Sequence, residues 1–170
     1  MNKLLKVLSI VIAGFALTAS SFAADVTMRI SIQLPMKSHL GQNLLLFKND
    51  VEAKSKGEIE VQIYDSAQLY KDKEVPAAVG SGSIEAGVAS LTRYVGDIPA
   101  VDIFYQPFLL NSEAKVRKAV AKGSAIRGPI DKAIEGTGST VLWWQAYGSA
   151  VMLSKGQGIK NPSDMKGKKV

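Results

Sequence analysis

Cysteine is absent from all 170 residues, and histidine occurs once, as His39. The first absence excludes disulfides and thiol chemistry. Together they remove the ligands from which zinc sites are built, so no metal is expected. No cofactor is expected either. There is no G-x-S-x-G elbow and no Walker-type loop, and the G-x-G pieces at Gly80, Gly136 and Gly156 lack the rest of the dinucleotide fingerprint. A Ser-His-Asp arrangement would have to use His39, which lies just before a predicted helix, where a capping or solvent-facing place accounts for it. No basic stripe with interleaved aromatics is present, so nucleic acid is not an expected partner. Lys166, Lys168 and Lys169 do cluster, but a solvated turn explains them equally well.

Long apolar runs are also missing. The run from Val7 to Leu17 has eleven residues, well short of the roughly 20 a membrane-spanning helix needs. It follows Lys3 and Lys6 and leads into Ser20-Ser21-Phe22-Ala23-Ala24-Asp25. A basic start, a short apolar run and small residues before a cut form the layout of a secretory signal peptide. Residues 1–23 are therefore assigned to a leader cleaved after Ala23, which places the mature protein in the periplasm. Removing two lysines and no acids takes the formal charge from +6 to +4. That mild positive balance suits small anions. The 147 residues that remain suffice for one domain with a core. The closing Lys168-Lys169-Val170 reads as the opening of a strand, so the sequence is expected to continue beyond it.

Val26, Met28, Ile30 and Ile32 alternate with Thr27, Arg29, Ser31 and Gln33, which predicts a half-buried strand ended by Leu34-Pro35. Leu40, Leu44, Phe47 and Val51 fall at helical spacing, with Lys54 and Lys56 at the end that suits cations and Gly57 as the stop. Ile59, Val61 and Ile63 predict a second strand. Asp72 is read as the cap of a short helix that fades at Gly80-Ser81-Gly82, and Ala86 to Ala89 as a short buried strand. Ser112 with Glu113 starts a helix carrying Val116, Ala119 and Val120 on one face. A further helix, marked by Pro129, Ile130, Ala133 and Ile134, ends at Gly136. Thr140 to Gln145 is read as a fourth strand, Val151 to Leu153 as a fifth, and Asn161-Pro162 as a helix start. Strands alternating with helices predict an α/β fold: a mostly parallel sheet with helices on both faces.

Ligands of such sheets bind beyond the carboxyl ends of the strands. Those ends are Gln33, Ser90 with Arg93, and the stretch from Trp144 to Ser149. A guanidinium there can grip a carboxylate through two parallel hydrogen bonds; the alternative for Arg93 is a surface pairing with an acid. Trp143 and Trp144, adjacent on a predicted strand, face opposite sides. One then belongs to the core while the other, with Tyr147, lines a cleft, unless both are core. The candidate ligand-binding residues are Gln33, Ser90, Arg93, Trp144 and Tyr147.

Several segments, in this order and spacing, carry a resemblance. They are the helix from Leu40 to Gly57 with Glu58-Ile59-Glu60-Val61-Gln62-Ile63-Tyr64, then Ser66-Ala67-Gln68-Leu69 and Gly82-Ser83-Ile84-Glu85-Ala86. Gln106-Pro107-Phe108-Leu109-Leu110 and Asn161-Pro162-Ser163-Asp164-Met165-Lys166-Gly167 follow. The chain resembles the solute-binding proteins of tripartite ATP-independent periplasmic (TRAP) transporters, of the C4-dicarboxylate-binding type. The resemblance implies two α/β lobes of periplasmic-binding-protein type that close on a small organic anion and hand it to TRAP membrane subunits. It implies residues 24–147 as the first lobe, residues 148–170 as a crossing segment and the start of the second, and a monomer. Gln33, Ser90 and Arg93 match its ligand-facing positions. Its main carboxylate-binding arginine would be number 171, beyond the sequence. A second arginine of many members falls here on Val151 or Ala150, neither of which binds an anion, so a monoacid, a sulfonate or a more apolar acid is expected ahead of a dicarboxylate. The alternative function is a secreted α/β enzyme acting on a small acidic substrate.

Overall fold

The computed structural model describes residues 24–148, 153–156 and 158–169. The leader assigned to residues 1–23, and most of the strand read at Val151 to Leu153, lie outside the described residues. Three parallel strands form the sheet: β1 (Val26–Ser31), β2 (Ile59–Tyr64) and β3 (Ala86–Gly87), in the order β2-β1-β3. Val26 of β1 lies opposite Ile59 and Ser31 opposite Tyr64, while Ile30 meets Ala86 of β3. Parallel neighbours need a crossover. Helix α1 (His39–Lys54) supplies the first and α2 (Val75–Gly80) the second.

The predicted periodicities explain the packing. Ile30 and Val61 from the sheet, with Ile32 just past β1, meet Leu40 and Leu44 of α1 in one buried cluster, flanked by Met28, Phe47 and Val51. Ser38 caps α1, its Oγ accepting from the Gly41 N–H at 3.1 Å. On the opposite face of β1, Ser31 is also fully buried. Its hydroxyl accepts from the Tyr70 N–H and donates to the Tyr70 carbonyl, both at 3.2 Å, so burial leaves it satisfied. Central strands covered on both faces are what a parallel sheet requires.

A second cluster lies further along the chain. Two 3-10 segments, Leu91–Tyr94 and Pro99–Tyr105, precede α3 (Glu113–Val120) and α4 (Arg127–Glu135). Ile98, Val101, Ile130 and Ile134 form its buried centre. Ser112 caps α3 as expected, and Ala119 is that helix's buried residue. The two units touch where Gly80, ending α2, meets the turn after α4. A Cβ on Gly80 would stand 2.5 Å from the Thr137 carbonyl oxygen, so only glycine lets these backbones approach.

Two expectations fail. Asp72 does not cap α2: Glu74 holds that place without a side-chain bond, and Asp72 turns inward. Residues 140–145 form no strand among the described residues. The segment threads between α1 and α4, where side chains rather than a neighbouring strand meet it.

One ion pair fastens the sheet edge. Glu85, just before β3, accepts from Arg29 Nε at 2.9 Å, from Nη2 at 2.7 Å and from the Arg29 backbone N–H at 2.8 Å. Chiefly because of the Arg29 side-chain bonds, its carboxyl is lowered from 4.5 to about 2. A depressed acid stabilises the fold above its unfolded value, and that contribution is lost as pH falls through the folded value. Stability is therefore expected to drop between about pH 4.5 and pH 2. Both side chains are partly exposed, so solvent screening keeps the effect small. Glu85→Gln should flatten this part of the acid-denaturation profile. An unchanged profile in urea titrations at pH 5, 4 and 3 would contradict the assignment.

Candidate functional site

The chain leaves β1 through Ile32 and Gln33, and leaves β3 through Val88 towards Ser90. Both exits lie at the carboxyl edge of the sheet, and the loop after β2 folds across them. That loop is held by its backbone: the Ser66 N–H donates to the Leu34 carbonyl at 3.2 Å and the Ala67 N–H to that of Ile32 at 3.1 Å. Ser66 and Ala67 adopt φ of 52° and 59°, a left-handed pair that non-glycine residues rarely form. Asp65 adds support by accepting from the Met36 N–H at 2.8 Å. Local strain of this kind persists only where surrounding bonds over-determine it.

The loop delivers Asp72, which is 5% exposed, into the middle of the predicted site. Its Oδ1 accepts from the Ser90 N–H at 2.8 Å, and its Oδ2 from Arg93 Nε at 2.5 Å. The Asp72 N–H in turn donates to Gln33 Oε1 at 3.1 Å. Three of the five candidates are thus gathered around one residue, Ser90 and Arg93 on the Asp72 carboxylate and Gln33 on its backbone N–H. Burial pushes the Asp72 carboxyl up, but the Arg93 and Ser90 hydrogen bonds outweigh it and leave it below its usual value. The pair is therefore charged on both sides and neutral in sum.

Arg93 lies in the first 3-10 segment with its side chain 42% exposed. Only Nε is engaged, and neither terminal nitrogen donates to a partner among the described residues. A guanidinium bonded through Nε alone keeps the paired N–H donors of its outer edge for another partner. That edge fits a carboxylate or another planar oxyanion. The structure thus places Arg93 in a pairing with an acid, one of its two readings, and that pairing uses only Nε.

Trp144 and Tyr147 are placed elsewhere. The segment carrying them alternates: Trp143 packs on Phe47 at 5.0 Å between ring centroids, and Gln145 accepts from Asn43 Nδ2 at 2.7 Å. Tyr147 stands edge-on to His39 at 6.5 Å. His39, Asn43 and Phe47 form one stripe of α1 at four-residue spacing. Trp144 faces the other way. Its indole N–H donates to Asp131 Oδ1 at 2.7 Å, its ring lies 5.1 Å from Phe104, and the Arg127 guanidinium sits 5.4 Å above it. The two tryptophans do face opposite sides. Trp144 is engaged with α4, whereas Tyr147 is 62% exposed. Neither joins the Asp72 group.

Asp72 is the residue that sequence reasoning missed. The signal available was its place between two strands, which a helix cap explained just as well. Its partners lie 39 residues upstream and 18 and 21 residues downstream.

Comparison with known proteins gives a consistent picture. A family model described as "Bacterial extracellular solute-binding protein, family 7" matches residues 30–170. A solute-binding protein of Verminephrobacter eiseniae is 31% identical over 152 residues, covering 87% of this chain and 44% of its own. The C4-dicarboxylate-binding periplasmic protein DctP of Rhodobacter capsulatus is 26% identical over 159 residues, covering 92% and 46%. The chain thus spans less than half the length of either relative. Among solved structures, DctP7 of Bordetella pertussis, an extracytoplasmic solute receptor binding pyroglutamic acid, aligns with a TM-score of 0.61 at 23% identity. That alignment covers 66% of this chain and 36% of the receptor.

Proposed function

Because the chain belongs to the DctP family of bacterial extracellular solute-binding proteins, family 7, we propose that it captures a small organic acid in the periplasm for uptake by a TRAP transporter. The observation that carries this reading is the gathering of Gln33, Ser90 and Arg93 at the carboxyl edge of the parallel sheet, with the Arg93 fork unoccupied among the described residues. In this reading residues 1–23 direct export and residues 24–147 form the first of two lobes. Residues 148–170 begin the crossing to the second, and TRAP membrane subunits receive the solute. A clamp of two lobes excludes water from the captured acid, which strengthens each charge-assisted bond made to it. Pyroglutamate, the acid of the Bordetella receptor, and succinate, bound in a TRAP periplasmic solute-binding protein of Sulfurospirillum deleyianum, are the first probes.

A melting-temperature screen of the protein from the complete reading frame, against organic acids and their neutral amides, tests the proposal. A ligand at about 100 times its Kd adds about 2.7 kcal/mol of stability, so a cognate acid should raise Tm by several degrees. Its amide should do far less. A protein stabilised equally by acid and amide, or by neither, would contradict the reading.

A further inference from the structure

We propose that Asp72 is a positioning residue for ligand capture: it fixes the Arg93 guanidinium through Nε so that the terminal nitrogens form a ready carboxylate fork. The inference rests on the reading that Arg93 meets the ligand's acid group. Asp72 is suited to the task because it is itself immobilised. Its Oδ1 is held by the Ser90 N–H and its backbone N–H by Gln33 Oε1. Its side chain is 7% exposed, against 42% for Arg93, so the acid is the fixed member of the pair and the arginine the movable one. The bond to Nε also determines which edge of the guanidinium remains. An acid bound to the terminal nitrogens would occupy the fork; an acid on Nε leaves both terminal nitrogens for a ligand. Ser90 and Gln33 then serve the site through Asp72.

Charge and position predict opposite signs here. Asp72 places a negative charge beside an anion site, so by Coulomb's law alone its neutralisation should tighten binding. Positioning predicts weaker binding, because an untethered arginine must be ordered when the ligand arrives. Ordering one such side chain corresponds to a loss of roughly 2- to 12-fold in affinity.

Asp72→Asn separates the two. The amide oxygen can still accept from the Ser90 N–H, while its NH2 cannot accept from Arg93 Nε. In the protein from the complete reading frame, the Arg93 Nε–H should give a protected NMR signal without ligand, and Asp72→Asn should abolish that protection. Titrations with succinate and pyroglutamate should show weakening of about 3- to 10-fold in Asp72→Asn. In an Arg93→Ala background the same change should have less than about twofold effect, as expected for a residue acting through Arg93. Tighter binding in Asp72→Asn, or an equal loss in both backgrounds, overturns the inference. Arg93→Ala binding as well as the parent overturns instead the reading on which it rests. Failure of the parent to bind either acid counts against both.

Discussion

Asp131→Ala should lower the free energy of unfolding by about 3 kcal/mol, the upper end of what an unsatisfied buried donor costs, since Arg127 is buried while the Asp131 side chain is 21% exposed. Arg127, 7% exposed, donates from Nε to Asp131 Oδ2 at 2.8 Å and from Nη1 to the Val120 carbonyl at 3.0 Å. The other Asp131 oxygen accepts the Trp144 indole N–H. Alanine would strand the guanidinium and the indole N–H together, in a cluster whose centre is Ile98, Val101, Ile130 and Ile134. It would also release residues 140–147 from α4. Trp144→Phe keeps a ring against Arg127 and Phe104 but loses one hydrogen bond, so it should cost only about 0.5–1.5 kcal/mol. Urea denaturation followed by circular dichroism checks both. A loss below about 1 kcal/mol for Asp131→Ala would mean the network contributes little.

Arg93→Ala should weaken binding of the cognate acid by about 10- to 150-fold, the equivalent of a charge-assisted hydrogen bond worth about 1.5–3 kcal/mol. Arg93→Lys should recover only part of this, since lysine keeps the charge but not the planar fork. The lysine variant carries a further handicap in this fold. An ammonium drawn to the buried Asp72 carboxylate has no second edge to offer a ligand. Calorimetric titration of the three proteins decides the matter. Equal affinities would show Arg93 to be a surface partner of Asp72 and nothing more.

Elements whose side chains repeat with a period were legible in the sequence. Alternation from Val26 to Gln33 and the Leu40, Leu44, Phe47, Val51 spacing state directly which faces pack against each other, and both meet in one core. Caps were legible where the partner is local, as with Ser112 and the Lys115 N–H. Asp72 was not, because the same carboxylate chemistry that would cap a helix three residues on instead satisfies the Ser90 N–H across the sheet. Residues 140–145 carried strand propensity, but propensity does not supply a ladder partner. Their side chains are satisfied by Phe47 and Asn43 on one side and by Asp131 and Phe104 on the other. The places of Gln33, Ser90 and Arg93 at the carboxyl edge were legible because strand ends in a parallel sheet are placed by topology. How they are held together was not, since that depends on a residue distant from all three in sequence.

A crystal structure of the protein from the complete reading frame, grown with the acid that most raises its melting temperature, tests the central claim most directly. The account predicts a ligand carboxylate within about 3 Å of the Arg93 terminal nitrogens, with Asp72 still on Nε and Gln33 and Ser90 alongside. A ligand bound elsewhere, with the Arg93 fork open to solvent, would contradict it.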